Sequence, residues 1–158
     1  MDNTVSLAIQ DFNQAVEQLV RVFKNTPEDR VAWSPSATAR TPIQLVAHSA
    51  FAIGFIGEML QGTPYPAKTM AEADAQFLEM EKSITTAEAA LKLLQDRCER
   101  HISLLESLTA SQLEESVVAP FGLGSVPMQL AITFPAVHTR GHTSQLEYLQ
   151  TIYGDREW

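Results

Sequence analysis

Apolar residues recur at helical spacing in four stretches of the chain. Over residues 4–24, Val5, Ala8, Ile9, Phe12, Val16, Leu19, Val20 and Phe23 fall on one side, with Asp11, Glu17 and Arg21 on the other. This spacing predicts an amphipathic helix that Pro27 ends. A polar stretch, EDRVAWSPSATAR, leads to TPIQ, where Thr41 as N-cap, Pro42 at the first helical position and Gln44 three residues on predict a second helix over 42–60. GTPYP stops it, and the polar segment up to Ser83 predicts only a short helical turn around Met70 to Met80. Thr85 with Glu88 repeats the capping pattern before Ala89, Leu91, Leu94, Cys98, Ile102, Leu105 and Leu108, a third amphipathic helix ending near Thr109. After the linker ESVVAPFGLGS, a last helix is predicted from near Pro127 to near Tyr153, with Gly154 as its C-terminal cap and a kink at Pro135. Apart from a Val-rich patch at 117–118, no alternating strand pattern appears.

Four such helices make an all-α four-helix bundle with long connections the expected fold, in one domain spanning residues 1–158. Composition agrees: 45% of the residues are apolar and 19% charged, enough for one real core. The net charge of -8 repels polyanions, and the basic residues are scattered among acids, so no nucleic-acid partner is expected. A single cysteine, Cys98, allows neither an intramolecular disulfide nor a cysteine-based zinc cluster. The N-terminal MDNTVSLAIQDFNQ has no signal-peptide character, and no apolar run is read as approaching the length of a bilayer span. The expected setting is therefore cytoplasmic, away from any membrane.

Against this background the segment HTRGH stands out. Residues four apart share a helix face, so His138 and His142 point the same way, towards the bundle interior or its mouth. Burying imidazoles without partners is costly, and one divalent ion about 2.0 to 2.2 Å from each nitrogen removes that cost. His48, in LVAHSAFAIGF, shares its face with Leu45, Ala52, Phe55 and Met59 and is also predicted to point inward. Three histidines from two packed helices can form a site with open positions for water or substrate. The spacing equally allows a hydrogen-bonded core histidine at 48 and a chance HxxxH on the last helix, and without the Glu of HExxH it does not indicate a zinc protease.

The order of these motifs resembles one family. A first helix, the Trp33-Ser34-Pro35 segment, the helix start Thr41-Pro42 with Leu45 and His48, and the last-helix pattern HxxxHxxQLxxL from His138 to Leu149 are similar to the DinB family of metal-binding four-helix bundles. The resemblance implies that His48, His138 and His142 are the metal ligands and that the ion is zinc or nickel. It also implies a homodimer and, where chemistry is assigned, transfer or isomerisation reactions using a low-molecular-weight thiol such as bacillithiol or mycothiol. The chain departs from the family pattern at Gly141 and Pro135, which bears on the substrate more than on the metal.

The expected function is thus a metal-dependent enzyme of thiol S-transferase or hydrolase type acting on a small-molecule substrate. An ion held by the three histidines would lower the pKa of a water or thiol. The alternative is a non-catalytic helical module that binds metal or a small ligand and works through a partner. No catalytic residue is assigned, because no general base is identifiable; Glu58 lies on the flank of the second helix. Gln145 is read either as a partner of a ligand or as a polar residue at the bundle mouth, and Arg140 as a surface salt-bridging residue. Cys98 is read as a buried thiol and His101 as a surface or rim residue. Trp33 is read as packed against the first two helices or as a lid over the site. Met59, Met70, Met80 and Met128 are read as packing residues.

Overall fold

The computed structural model describes residues 3–154. Its elements in order are α1 (Asn3–Lys24), a 3-10 turn (Glu28–Arg30), α2 (Pro42–Leu60), α3 (Met70–Glu81), α4 (Ala87–Ser107), α5 (Ala110–Leu113), β1 (Ser116–Ala119), β2 (Gly124–Pro127), α6 (Met128–Ala131) and α7 (Phe134–Ile152). Four long helices form the bundle: α2 packs on α4 and α7, and α1 packs on α7 and more lightly on α4. One apolar cluster includes Phe12, Leu19, Ile53, Leu94 and Leu146; a second, around Val5, Leu105, Val117, Met128 and Ile132, seals the end carrying the hairpin.

Local chemistry sets the helix starts. Thr41 Oγ1 accepts from the Gln44 backbone N–H while the Gln44 side chain accepts from the Thr41 N–H, the reciprocal pair expected for α2. Thr86, not Thr85, caps α4 through the Ala89 N–H. The third helical position is then Ala89, which has no side chain to return the bond, so the expected box with Glu88 does not form. α2 is long and apolar enough to cross a membrane, contrary to the sequence reading, but 67% of its apolar window is buried inside the bundle. A helix packed on two sides needs such a composition.

Two further expectations are corrected. The linker after α4 contains an antiparallel hairpin, with Val117 opposite Val126 and Ala119 opposite Gly124. Val117 and Ala119 are buried while Ser116 and Val118 are exposed, a period-two pattern too short to stand out in the sequence. The last helix is not one kinked rod from Pro127. The chain breaks at Ile132 and Thr133, and Pro135 sits in the first turn of α7, where its missing N–H removes no helical bond. Gly154 has φ +88, as a glycine following a helix C-terminus should.

Candidate metal centre

The buried line of α7 runs through Ala136, Thr139, Thr143, Leu146 and Gln150. The threonine Thr143 returns its hydroxyl to the Thr139 carbonyl (3.0 Å), and the Gln150 amide donates to the Val22 carbonyl of α1 (2.9 Å). His138 and His142 flank that line, half-buried, on the side facing α2. His48, 7% exposed, projects from α2 to meet them. Ring centroids are 5.3 Å apart for His48 and His138, 4.5 Å for His48 and His142, and 4.4 Å for the α7 pair.

The donor geometry fits one ion. One nitrogen from each ring lies within 4.8 Å of the others, and His138 Nε2 and His142 Nε2 are 3.3 Å apart. Two nitrogens bound at about 2.1 Å to a common tetrahedral or octahedral ion stand about 3.0 to 3.4 Å apart. Hydrogen bonds fix the ring orientations. His48 Nδ1 donates to Glu81 Oε1 (2.8 Å), and His142 Nδ1 donates to Gln145 Oε1 (2.8 Å). Each bond leaves the opposite nitrogen as a lone pair, the arrangement common around protein-bound metals. His138 Nδ1 is buried and has no partner among the described residues.

Electrostatics keeps two of these rings neutral. Burial, followed by the neighbouring imidazoles His142 and His48 and then Arg40, pushes the His138 pKa down to about 3. Burial, then His48, lowers His142 to about 4, although its bond to Gln145 works in the other direction. Both are lone-pair donors at neutral pH, the form a metal needs.

The sequence reading missed two residues that complete the site. Glu81, at the end of α3, is 0% exposed, and a buried carboxylate needs partners. Both its oxygens accept from Arg40 Nε at 2.9 Å while Oε1 also accepts from His48 Nδ1; Arg40 Nη2 donates to Asp74 at 2.7 Å. The available signal was spacing: Ala73, Phe77 and Glu81 recur every four residues, so the acid lies on the buried stripe of α3. Phe77 packs on His48 with centroids 4.3 Å apart, and Phe55, Tyr65 and Phe121 continue this line of aromatic contacts to the hairpin turn.

Other expectations divide. Gln145 does hold a histidine, and Arg140 pairs with Asp11 of α1 (2.6 Å) as a surface bridge. Cys98 is buried, and burial pushes its thiol up to about 12. Trp33 is partly buried at the edge of the main core and packs edge-on against Tyr153 at 5.6 Å, at the end of the last helix and not only against the first two. Met59 and Met128 are core residues, but Met70 is 73% exposed at the start of α3. His101 is 3% exposed and belongs to the interior, not the rim. A Cβ at Gly141 would meet nothing within 4 Å, so no neighbouring helix requires glycine there. Glu58 is exposed and has no place among the three histidines.

Comparison with known proteins follows the same lines. The family model of the DinB superfamily matches residues 11–146. Among solved structures, the fold is similar to that of YfiT from Bacillus subtilis, described as a probable metal-dependent hydrolase with an unusual four-helix bundle topology. That match has a TM-score of 0.72 at 20% identity and covers 98% of this chain and 91% of the other. No curated protein matches.

Proposed function

This chain belongs to the DinB superfamily, and on that premise we propose that it is a divalent-metal-dependent enzyme whose ion is held by His48, His138 and His142. The observation that carries this reading is the convergence of three ring nitrogens within 4.8 Å, two of them 3.3 Å apart. A hydrolytic reaction is favoured over thiol transfer, in keeping with the description of the YfiT protein as a probable metal-dependent hydrolase. Zinc and nickel are the ions to test first, since imidazole donors suit both. Such an ion supplies Lewis acidity and lowers the pKa of a nucleophile near it.

The chain's own residues position and exclude. Glu81 and Gln145 fix the orientation of two imidazoles through hydrogen bonds at their Nδ1 atoms. Arg40 holds the Glu81 carboxylate in place through its Nε–H, and Phe77 covers one side of the His48 ring. Arg40 and Gln145 also border an apolar cleft of about 430 Å³ beside Pro35, Tyr148 and Ile152, a size suited to the non-reacting part of a small-molecule substrate. The proposal includes a cytoplasmic homodimer, and sedimentation of the untagged protein reads its assembly.

Elemental analysis of untagged protein beside the His48→Ala and His142→Ala variants tests the reading. About one metal per chain, lost in both variants, is the expected result. The loaded protein is then assayed on ester and amide substrates with water or a low-molecular-weight thiol as acceptor. No metal in any form after incubation with zinc and nickel would overturn the proposal and favour a ligand-binding module.

A further inference from the structure

The apolar cleft beside the three histidines restricts what can lie in it. Its floor is Leu45 of α2 and Leu149 of α7, both buried, and its rim includes Tyr148 and Ile152, both exposed. Leu45 precedes His48 by three residues, while Gln145, Tyr148, Leu149 and Ile152 follow His142 by three, six, seven and ten. At 1.5 Å per residue the cleft starts about 5 Å along the helices from the histidines and ends about 15 Å away. Two polar side chains join cleft and histidines. Gln145 borders the cleft while its Oε1 accepts from His142 Nδ1, and Arg40 borders it while holding Glu81, the partner of His48.

Tyr148 is the informative residue. Among the described residues Trp33, Phe55, Tyr65 and Phe77 all pack on another ring, whereas Tyr148 has no such contact and is 67% exposed. Its ring therefore stands as an open apolar face on the cleft, one turn beyond the residue that orients His142. Pockets for small ligands are built this way, from apolar and aromatic walls with a few placed polar groups at one end.

Charge narrows the occupant. Among the residues lining the cleft Arg40 alone is charged, and its Nε and Nη2 already donate to Glu81 and Asp74. Two carboxylates facing one guanidinium leave this end of the cleft net negative, in a chain whose net charge is -8. An anionic group entering there meets repulsion and loses water to apolar walls. An uncharged group avoids both costs.

We propose that the substrate of the three-histidine site is an uncharged small molecule with an apolar, ring-bearing body. That body lies on Leu45 and Leu149 against the face of Tyr148, and its ester or amide carbonyl reaches the histidines past Gln145. The inference rests on the hydrolytic reading above and specifies its substrate class, with Tyr148 as the residue that selects it.

Phenylpropionamide, uncharged, and phenylpropionate, its anionic isostere, are titrated into the full-length protein, metal-stripped and zinc-loaded, with NMR of the leucine and isoleucine methyl groups as readout. In the metal-stripped protein the amide should saturate and shift the Leu45, Leu149 and Ile152 methyls, and the carboxylate should bind about tenfold more weakly. Tyr148→Ala should weaken the amide about tenfold and Tyr148→Phe should not, because the ring face makes the contact. In the zinc-loaded protein Tyr148→Ala should raise KM for hydrolysis of the nitrophenyl ester of phenylpropionic acid by a similar factor and lower kcat far less. No saturable methyl shift with the amide, tighter binding of the carboxylate to the metal-stripped protein, or unchanged affinity in Tyr148→Ala overturns the proposal. Methyl shifts that follow protein concentration instead of the amide also overturn it, and give this face to a second copy of the chain. Ester turnover without cleft shifts overturns this inference alone. Amide binding in the cleft without turnover by the zinc-loaded protein overturns the hydrolytic reading instead, and still supports the cleft as the seat of an uncharged ligand.

Discussion

Two buried histidines lie on opposite sides of α2 in contrasting surroundings. His48 Nδ1 donates a hydrogen bond to Glu81, which Arg40 holds in turn, and its neighbours are two more imidazoles. His101 is more deeply buried, but among the described residues it has an aromatic edge and two arginines nearby and no partner at either nitrogen. Burial alone therefore does not determine a histidine's chemistry. A carboxylate accepting from one nitrogen of a neutral imidazole fixes the ring and leaves the other nitrogen as a lone pair. Without that anchor neither nitrogen of His101 is committed, and both lie sealed from solvent.

The largest expected effect separates the two directly. His138→Ala should abolish retained metal after dialysis while keeping most of the helical circular-dichroism signal, whereas His101→Leu should leave metal content unchanged. Metal retained by the His138 variant, or lost from the His101 variant, would break the contrast.

The anchor comes next. Glu81→Gln keeps the shape of the side chain but removes its charge, and should lower zinc affinity by about 10–100-fold in chelator competition. Glu81→Ala leaves Arg40 and His48 without their buried counterpart and should also lower unfolding free energy by about 3–5 kcal/mol in urea. An affinity equal to that of the native protein in both variants would mean that His48 needs no carboxylate.

A smaller effect comes from acid. Burial lowers the His101 pKa from 6.5 to about 4. A depressed folded-state pKa means that the unfolded chain binds the proton more readily, so stability is complete above about pH 6.5 and falls as pH drops towards 4. The shift corresponds to roughly 3 kcal/mol, lost fully only below the folded pKa. His101→Leu should flatten this part of the stability profile of the metal-free protein, and a profile parallel to that of the native protein would contradict the assignment.

The smallest effect is at Arg140, which adjoins the histidine pair in sequence but bonds to Asp11 at the surface. Arg140→Gln should change stability by about 1 kcal/mol or less and leave metal binding intact. A marked loss of metal in this variant would give the arginine a role at the site that its surface pairing does not explain.

The sequence by itself determined the four bundle helices, the capping of α2 and the shared face of His138 and His142. Each is a local property: a helix repeats every 3.6 residues, and a cap is complete within four. The resemblance carried by Thr41-Pro42, His48 and HxxxHxxQLxxL extended that local reading to the whole fold, and the match over residues 11–146 agrees with it. Tertiary structure decided what no local pattern contains. Arg40 and His48 meet on Glu81 from separate segments because α3 folds back across α2, and no periodicity records that return. The hairpin is stabilised by burial of Val117 and Ala119, and the break before α7 places Pro135 where it is harmless; both depend on neighbours distant in sequence. His101 was misplaced for the same reason. A helix pattern gives the direction of a side chain, but only the packed partner, here α2 with its two glycines, determines whether that direction leads to water or into the protein.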